Sequence, residues 1–588
     1  TLPLAPPPLA PDRVLFSGLG PSTGVWRPKM AETDSGPSLL ESADPNCPPE
    51  DTLLGALDAA VASGAPFLTL HQGRQRTEIS YRQAREGAWR VAAALRNRGI
   101  ARGDRVALLL PTSALFVEAL LGSMMAGAIP VPLASPMTFG GVGRYLKNLT
   151  VILQDAGAEW LVTYPRIKEA VAGDDALRSL LGNVITEADL DGIAPIDPRT
   201  ASVSGSDIAF LQYTSGTTGK PKGVMISHRA VVSNTYGIAH GMNQTSADIG
   251  VSWLPLFHDM GLIGALLRSV CHPGALHVMP PERFIVKPLG WLKLLSEVGG
   301  TLSPAPNFAY DLCTSRIAEI AELKLDRWRV AMNGSEPVHA PTLARFNAKF
   351  GPAGFQPGSM MPVYGMAEAT LAVTFSPVGQ GPSTLAVDRK ALEEQSRATR
   401  SSSADARLAV SVGKPLAGTR VCVVDDSGKP VAAGVVGEVR VAGPSIMDGY
   451  FRNDEASAAV LRDGWLSTGD LGFIANGELF IAGRAKEMVI KAGRNLYPYD
   501  VERVVGELAG IRLGGVAAFG RENEGTGTDD LVVVAETSET DPSGREALTK
   551  AIRGEVLAVL GVGIDDVRLW PVGSVPRTSS GKIRRKEC

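Results

Sequence analysis

The densest group of chemically capable side chains lies between Tyr213 and His228, where the chain reads Tyr-Thr-Ser-Gly-Thr-Thr-Gly-Lys-Pro-Lys-Gly-Val-Met-Ile-Ser-His. Its glycines let the backbone approach a ligand closely, and its hydroxyl and ammonium groups suit a polyphosphate. A P-loop of the Walker type needs Gly-x4-Gly-Lys-Ser/Thr leading into a helix. Here Pro221 follows Lys220, which removes a backbone donor and resists helix formation. The stretch therefore predicts a phosphate-binding loop of another kind, with a polar hairpin turn as the alternative.

This stretch resembles the phosphate-binding signature of the adenylate-forming superfamily, which includes acyl-CoA ligases, adenylation domains of peptide synthetases and luciferases. Later motifs are similar to those of the fatty acyl-AMP ligases, and the resemblance covers nearly the whole chain. It implies ATP- and Mg²⁺-dependent conversion of a fatty acid into an acyl-adenylate, with release of pyrophosphate. The acyl group would then pass to the phosphopantetheine thiol of an acyl carrier protein or of a polyketide synthase carrier domain.

The resemblance also implies a set of nucleotide-binding residues in four motifs. In Tyr-Gly-Met-Ala-Glu, the ring of Tyr364 would lie against adenine and Glu368 would bind Mg²⁺, with Thr218 as a second metal ligand. Asp470 would accept hydrogen bonds from the ribose hydroxyls, and Arg484 would donate to the ribose or to phosphate. The cofactor-binding residues implied in this way are Thr214, Ser215, Gly216, Thr217, Thr218, Gly219, Lys220, Asn333, Gly334, Ser335, Glu336, Tyr364, Gly365, Met366, Ala367, Asp470 and Arg484.

Catalysis of adenylation requires cations, because an anionic carboxylate must attack an anionic phosphate. Lys582 ends a Pro-Arg-Thr-Ser-Ser-Gly-Lys segment that resembles the catalytic-lysine motif of the family, where the lysine bridges the substrate carboxylate and the α-phosphate. Glu368 is also implied to be catalytic, because it would bind the metal ion. Lys486 occupies the position of the family's hinge residue, which predicts that a C-terminal domain moves about this point.

The segment from Trp253 to Gly261 is similar to the family's sequence near the acyl site. It implies a catalytic, substrate-side role for His258 and substrate contacts from Trp253, Phe257, Asp259 and Met260. The residues alone leave an alternative open: a histidine between apolar runs is more often a satisfied core residue. Ordinary core packing explains the apolar stripe equally well.

Short β-rich runs alternate with helical patterns from Phe67 to Thr163 and again from Ile249 to Pro306, which predicts an α/β fold with parallel sheets flanked by helices. A small antiparallel β unit is expected from Gly413 to Val441, with its turn at Asp426-Ser-Gly428. The predicted organisation is a Pro-rich leader outside the fold at 1–45, a large N-terminal adenylate-forming domain at 46–482 and a small mobile α+β C-terminal domain at 483–588. The chain ends soon after Lys582, so this last domain is expected to be truncated.

Composition limits the functional classes. With 588 residues, 44% of them hydrophobic, a net charge of −3 and no block of like charge, the chain predicts a globular protein of two or more domains that does not bind nucleic acid. Its five cysteines show no paired spacing, which indicates a reducing, cytoplasmic location without a zinc site. Neither a signal peptide nor a membrane span is expected. The protein is predicted to be a monomer or part of a larger chain.

Alternatives remain for the branch of the adenylate-forming superfamily that the chain resembles. A fatty acyl-CoA ligase would share the first half-reaction, but the polar insertion at 379–407 and the segment Gly493-Arg-Asn are similar to the acyl-AMP branch. Composition alone supports only a surface loop for that insertion. A peptide-synthetase adenylation domain would need an aspartate for the amino group, and none is found at 251–255. A non-catalytic nucleotide-binding relative would not need the complete set of charged motif residues.

Overall fold

The structure, a computed structural model, describes residues 38–136, 142–194, 203–214, 221–491, 493–523, 528–578 and 582–588. Predicted loop residues from Ser215 to Lys220, Thr218 included, lie outside the described residues. In the described part of the chain, no helix is both long and apolar enough to cross a membrane. The helices are α1 (Leu53–Ser63), α2 (Tyr81–Asn97), α3 (Ala114–Met125), α4 (Val142–Ala156), α5 (Pro165–Ala172), α6 (Asp175–Leu180), α7 (His228–Gly241), α8 (Asp259–Gly261), α9 (Arg268–Cys271), α10 (Pro281–Val286), α11 (Leu289–Val298), α12 (Asn307–Arg316), α13 (Ala340–Phe350), α14 (Arg389–Gln395), α15 (Asp454–Val460), α16 (Pro498–Gly506) and α17 (Pro542–Leu560).

Parallel strands form the centre of the largest sheet, as the alternating pattern predicts. In spatial order they are β2 (Leu68–Gln72), β11 (Leu276–Val278), β10 (Gly250–Ser252), β12 (Leu302–Pro306), β13 (Val330–Gly334) and β14 (Met360–Gly365), with β3 (Gln75–Ile79) antiparallel at the edge. Parallel sheets of this kind are covered on both faces, and β12 and β13 are buried along their whole length. Ligands bind outside the carboxyl ends of such strands, so the residues that follow β12, β13 and β14 form the expected site.

The other part of this sheet is antiparallel. Outward from β14 it contains β15 (Ala372–Phe375), β17 (Arg407–Pro415), β22 (Glu478–Arg484), β21 (Trp465–Ala475), β19 (Gly437–Ala442), β18 (Arg420–Val424) and β1 (Leu39–Glu41), while β16 (Thr384–Val387) pairs with β17 and β20 (Leu461–Arg462) with β21. The predicted small antiparallel unit is therefore present. Gly428 has a φ of 81°, a conformation that glycine adopts without strain.

The structure differs from the expectation that residues 1–45 lie outside the fold. Leu39 to Glu41 pair antiparallel with β18, and the backbone N–H of Gly418 donates to the carbonyl of Asp44 at 3.0 Å. An edge strand has unpaired backbone groups that a short extended segment satisfies. A strand of 3 residues is too short to show a period in the sequence.

Smaller sheets complete the molecule. The remaining strands are β5 (Ile129–Pro132), β4 (Arg105–Leu109), β6 (Trp160–Thr163) and β7 (Asn183–Ile185) in a parallel sheet, the hairpin β8 (Ile208–Thr214) with β9 (Lys222–Ser227), the hairpin β23 (Val489–Lys491) with β24 (Arg494–Leu496), and the sheet β25 (Val516–Asn523), β26 (Thr528–Thr537) and β27 (Asp566–Pro571). Within the described residues, no strand after β22 joins the large sheet. The separate C-terminal domain and its boundary at residue 483 stay predictions, and Gly483 and Arg484 still pair with β21 in the large sheet. The polar segment 379–407 contains β16 and α14.

Asp248 fastens the amino ends of the parallel strands. Its carboxylate accepts hydrogen bonds from Thr245 N at 2.8 Å, from Thr301 Oγ1 at 2.7 Å, and from Nε and Nη2 of Arg329 at 2.7 and 2.6 Å. Thr301 precedes β12 and Arg329 precedes β13, so one buried anion holds both strand starts. Burial alone would raise the pKa of Asp248, but Arg329, the Thr245 amide and Thr301 lower it to about 2.

We expect Asp248→Asn to lower the free energy of unfolding at neutral pH by about 2 kcal/mol, because one pKa unit corresponds to about 1.4 kcal/mol. The carboxyl has a folded pKa of about 2 and an ordinary value of 3.8. Since the folded pKa is depressed, this contribution is complete above the ordinary value and is lost as the pH falls from about 4 towards 2. Urea unfolding of both proteins across this range measures the difference. A difference that does not change with pH would contradict the assignment.

Candidate active site

A cleft of about 2200 Å³ opens at the carboxyl ends of β12, β13 and β14 and is bounded on its other side by residues that follow β22. Most of the predicted site residues that the structure describes lie along its walls. These are Thr214, Phe257, His258, Asp259, Met260, Ser335, Glu336, Tyr364, Gly365, Met366, Ala367, Glu368, Asp470, Arg484, Lys486 and Lys582. Segments far apart in the sequence thus meet in one cavity.

Three predicted site residues do not line the cleft. Trp253 is 3% exposed and stacks on Phe284, with ring centroids 3.8 Å apart, in an aromatic core cluster. Asn333 is fully buried, and its Nδ2 donates to Asn307 Oδ1 at 3.3 Å. Gly334 lies beside it at the end of β13. Trp253 therefore packs in the core, which is the alternative that the residues alone left open.

Asp470 joins two of the predicted nucleotide-binding residues. The hydroxyl of Tyr364 donates to Asp470 Oδ2 at 2.7 Å, and Nε of Arg484 donates to Oδ1 at 3.0 Å. Asp470 and Arg484 are also directly opposite each other where β21 pairs with β22. The Asp470 carboxylate raises the pKa of Arg484, so the guanidinium remains charged. Each carboxylate oxygen therefore already has a donor, which fixes the orientation of the group at the cleft wall.

Glu368 lies in a tight turn that only glycine allows to close. The turn includes the short 3₁₀ segment Ala367–Ala369, and the backbone N–H of Met366 donates to the carbonyl of Leu371 at 2.7 Å. A Cβ atom at Gly365 would lie 1.8 Å from that same carbonyl oxygen. The glycine of the Tyr-Gly-x-x-Glu motif is thus required by close backbone approach.

Hydrogen bonds from two other segments fix this turn in place. On one side, Nδ2 of the buried Asn234 on α7 donates to the carbonyls of Ala369 and Ala372 at 3.3 and 2.8 Å. On the other side, Thr370 Oγ1 donates to the carbonyl of Ser445 at 2.7 Å. Thr370 has a φ of 66°, which is strained for a β-branched residue and persists only where the surroundings determine it.

Tyr450 is a buried cleft residue that the sequence motifs did not identify. Its hydroxyl donates to Glu368 Oε1 at 2.9 Å, and the Nζ atom of Lys222 lies 4.5 Å from the centre of its ring. Nothing in the local sequence distinguishes this tyrosine from a core aromatic residue. Only the fold brings it beside both charged groups.

His258, Asp259 and Lys582 form another group of polar side chains that line the cleft. Nδ1 of His258 donates to Asp259 Oδ1 at 2.6 Å, and the Met260 amide donates to the same oxygen at 2.7 Å. Burial alone would raise the pKa of Asp259, but His258, with Lys582 and the Met260 amide, lowers it to about 2. Asp259 is therefore a carboxylate that holds the His258 ring and faces the predicted catalytic lysine.

Two hydrogen bonds with Thr578 fix the backbone of Lys582. Its backbone N–H donates to Thr578 Oγ1 at 3.0 Å, and the Thr578 N–H donates to the Lys582 carbonyl at 2.8 Å. The walls of the cleft partly desolvate the ammonium and lower the pKa of Lys582, and the opposing effect of Asp259 only partly offsets this. The residue is exposed, so its ammonium is open to an anionic partner that enters the cleft.

Glu336 is a second carboxyl that lines the cleft. Its Oε1 accepts a hydrogen bond from the Phe308 amide, at the start of α12, at 2.5 Å. Burial raises the pKa of Glu336 to about 7, although that hydrogen bond and Lys582 act in the opposite direction. Near neutral pH the group is therefore divided between its charged and neutral forms.

Part of the cleft wall is apolar, and we call this part the apolar branch. Its walls are side chains that belong to one contiguous hydrophobic cluster and also line the cavity, namely Ile238, Met332, Val363, Leu371, Ala372 and Phe375. Gly264, in the π-helical turn Leu262–Leu267, lines the cleft with no side chain, and a Cβ there would lie 3.0 Å from Leu371 Cδ2. This apolar branch was not predicted, because its members come from separate elements.

Comparison with known proteins identifies the family of this chain. The family model described as AMP-binding enzyme matches residues 58–451. A putative acyl-CoA synthetase of Caulobacter vibrioides is 34% identical over 547 residues, which cover 91% of this chain and 94% of the relative. The medium-chain-fatty-acid–[acyl-carrier-protein] ligase JamA of Moorena producens is 33% identical over 540 residues, which cover 87% of this chain and 89% of the relative.

A solved structure is similar over the same length. It comes from structural and functional studies of fatty acyl-adenylate ligases from E. coli and L. pneumophila. Its TM-score with this chain is 0.86 at 35% identity, and the match covers 92% of this chain and 97% of the other. The similarity therefore includes the segments on both sides of the cleft.

We expect Gly365→Ala to lower the free energy of unfolding by about 1–3 kcal/mol and to displace Glu368, because the added methyl group overlaps the Leu371 carbonyl. Urea denaturation and a nucleotide-binding assay measure the two effects. Gly182→Ala is the matched control, since a Cβ at Gly182 meets nothing within 4 Å and its φ is ordinary. Equal behaviour of the two variants would contradict the role given to Gly365.

Proposed function

Because this chain belongs to the AMP-binding enzyme family, we propose that it is an ATP- and Mg²⁺-dependent fatty acyl-AMP ligase. It would convert a fatty acid and ATP into acyl-adenylate and pyrophosphate, and then transfer the acyl group to the phosphopantetheine thiol of a carrier protein. One observation supports this most strongly: the Tyr364–Asp470–Arg484 group, Glu368, Lys582 and the apolar branch all border one cleft.

We assign the nucleoside to the wall formed by Tyr364 and Asp470. The Asp470 carboxylate can accept hydrogen bonds from both ribose hydroxyls if these replace the Tyr364 and Arg484 donors that it holds now. The released guanidinium is then free to donate to phosphate, which suits its planar, permanently charged form. The planar ring of Tyr364 suits stacking against adenine.

The site fits a magnesium ion that is shared with phosphate oxygens. Glu368 lines the cleft, its Oε1 accepts from Tyr450, and in the described part of the chain its Oε2 accepts no hydrogen bond. The described residues contain no cluster of three or more potential metal ligands, so one carboxylate, phosphate and water would complete the shell. Bound Mg²⁺ would neutralise the charge of the triphosphate. The second proposed ligand, Thr218, lies outside the described residues.

The reaction would begin with attack of a fatty acid carboxylate oxygen on the α-phosphorus. The bond from that phosphorus to the bridging oxygen then breaks, and pyrophosphate leaves. Lys582 would lie between the two anions and reduce their repulsion. In the second step the thiol sulfur would attack the acyl carbonyl carbon, and AMP would leave.

The apolar branch supports a fatty acid as the substrate. Its six wall residues are all uncharged and lie beside Glu368, so a chain placed there keeps its carboxylate near the phosphates. Burial of each methylene of an acyl chain contributes about 0.8 kcal/mol. Phe257 and Met260 line the cleft near His258 and are assigned to the carboxyl end of the chain.

A carrier protein is the proposed acceptor because a similar protein, JamA, is named as a fatty-acid–acyl-carrier-protein ligase. Two segments that resemble the acyl-AMP branch also contact each other. Nε of Arg494, in the Gly-Arg-Asn segment, donates to Glu393 Oε2 at 3.2 Å, and its Nη2 donates at 2.5 Å. Glu393 belongs to the insertion, and its side chain is 4% exposed. The relative named as an acyl-CoA synthetase keeps transfer to coenzyme A as the second candidate.

Product analysis distinguishes the two acceptors. The protein is incubated with ATP, Mg²⁺ and a mixture of fatty acids, alone, with coenzyme A or with a phosphopantetheinylated carrier protein, and the products are identified by mass spectrometry. We expect acyl-AMP in all samples, acyl-carrier protein in the third, and no acyl-CoA in the second. Efficient acyl-CoA formation would transfer the protein to the coenzyme A branch.

Lys582→Ala is expected to lower the rate of adenylation by about 10²–10³, because removal of one charged contact to a transition state has effects of this size. Binding of ATP should change little, since the lysine acts on the reacting groups. A single-turnover assay of acyl-AMP formation measures the rate. Lys550→Ala on the exposed face of α17 is the control, and a rate for Lys582→Ala within a factor of two or so of this control would remove Lys582 from the mechanism.

Gly264→Leu is expected to lower the use of palmitate relative to octanoate. The new side chain would occupy space beside Leu371, and exclusion of two or more methylenes lowers kcat/KM for the longer acid by about tenfold or more. The ratio of kcat/KM for the two acids is the readout, and octanoate serves as the internal control for general damage. An unchanged ratio would show that the acyl chain does not pass Gly264.

A further inference from the structure

We infer that Tyr450 is a positioning residue for the triphosphate site: it holds the Glu368 carboxylate for the metal ion and the Lys222 ammonium for phosphate. The inference rests on the proposed function and extends it to a residue outside the recognised motifs. Tyr450 is 5% exposed and lines the cleft between these two charged groups.

The hydroxyl of Tyr450 acts on the metal-binding side. It donates to Glu368 Oε1 at 2.9 Å, which leaves Oε2 as the oxygen without a hydrogen bond in the described part of the chain. A carboxylate held through one oxygen presents the other in a fixed direction. Partners of this kind orient ligands, and their loss typically weakens metal affinity by about 10–100-fold.

The ring of Tyr450 acts on the phosphate side. Lys222 Nζ lies 4.5 Å from the ring centre, within the range of a cation–π contact. Among the described residues, Lys222 forms no ion pair, so none of their carboxylates neutralises its charge. The ring can thus stabilise the position of the ammonium and leave its charge available to an anionic ligand.

The backbone around Tyr450 explains why one residue reaches both groups. The Met225 N–H donates to the Gly449 carbonyl at 2.9 Å, and the Phe451 N–H donates to the Gly223 carbonyl at 2.8 Å, so residues 449–451 extend the β8–β9 hairpin. The Met447 N–H donates to the carbonyl of Glu368 at 2.9 Å. Segment 447–451 is therefore bonded to the strand after the phosphate loop and to the turn of the metal carboxylate.

A purely structural tyrosine would behave differently from a positioning residue. Loss of a buried hydroxyl would then lower stability, but it would not change how ATP binding depends on Mg²⁺. Tyr450→Phe separates these cases because it keeps the ring and its contact with Lys222 while it removes the hydrogen bond to Glu368. Tyr450→Leu removes both contacts.

The test is equilibrium binding of a fluorescent ATP analogue to the full chain, without fatty acid, while free Mg²⁺ is varied. For Tyr450→Phe we expect the Mg²⁺ concentration at half-saturation to rise about tenfold. For Tyr450→Leu we expect a further loss of nucleotide affinity of about threefold at saturating Mg²⁺, as removal of a cation–π contact predicts. Tyr81→Phe, which loses a buried hydroxyl bond to the Ser269 carbonyl outside the cleft, is the matched control.

A double-mutant cycle with Glu368→Gln completes the experiment. If Tyr450 acts through Glu368, Tyr450→Phe adds no further change in Mg²⁺ dependence to the Gln variant. Wild-type Mg²⁺ dependence in Tyr450→Phe, or an additive effect in the double variant, would overturn the inference and leave the proposed function intact. Absence of Mg²⁺-dependent ATP binding in the wild-type protein would overturn both.

Discussion

The attachment of segment 447–451 to two different parts of the molecule is the interaction on which the geometry of the cleft depends. It bonds through its backbone to β9 and to the turn of Glu368, and through Tyr450 to Lys222 and the Glu368 carboxylate. The cation and the anion that the proposed function assigns to a triphosphate are thereby held in a fixed relation. Because their separation is set by backbone pairing, a small shift of either element would alter both charges together.

The charged groups Asp470 and Lys582 have different surroundings in the cleft. Asp470 is buried, and both of its oxygens accept hydrogen bonds, from Tyr364 and Arg484. Lys582 is exposed in the cleft, where its charge interacts with Asp259 and Glu336 and also with Asp470 and Arg484. Buried charges are tolerated when they are paired and hydrogen-bonded. In the proposed reaction, the negative charges of the substrates would replace carboxylates of the protein as partners of its cations.

Sequence patterns predicted the parallel sheet and the small antiparallel unit, and most of the predicted site residues that the structure describes line the cleft, because hydrophobic period and motif spacing are local properties. They did not predict β1, since an edge strand of 3 residues has no period. Trp253 was assigned to the substrate site because an apolar stretch of sequence has the same pattern in a core and in a pocket. Tyr450, Asn234 and the apolar branch were missed for the opposite reason: their roles arise from contacts between distant segments, which no single segment records.

The central claim is that this cleft joins a fatty acid to the α-phosphate of ATP and releases pyrophosphate. Exchange of labelled pyrophosphate into ATP measures that reversible step directly, without any carrier protein or coenzyme A. The account predicts exchange that needs Mg²⁺ and a fatty acid and that amino acids do not support. Absence of exchange with every fatty acid, or exchange driven by an amino acid, would contradict it.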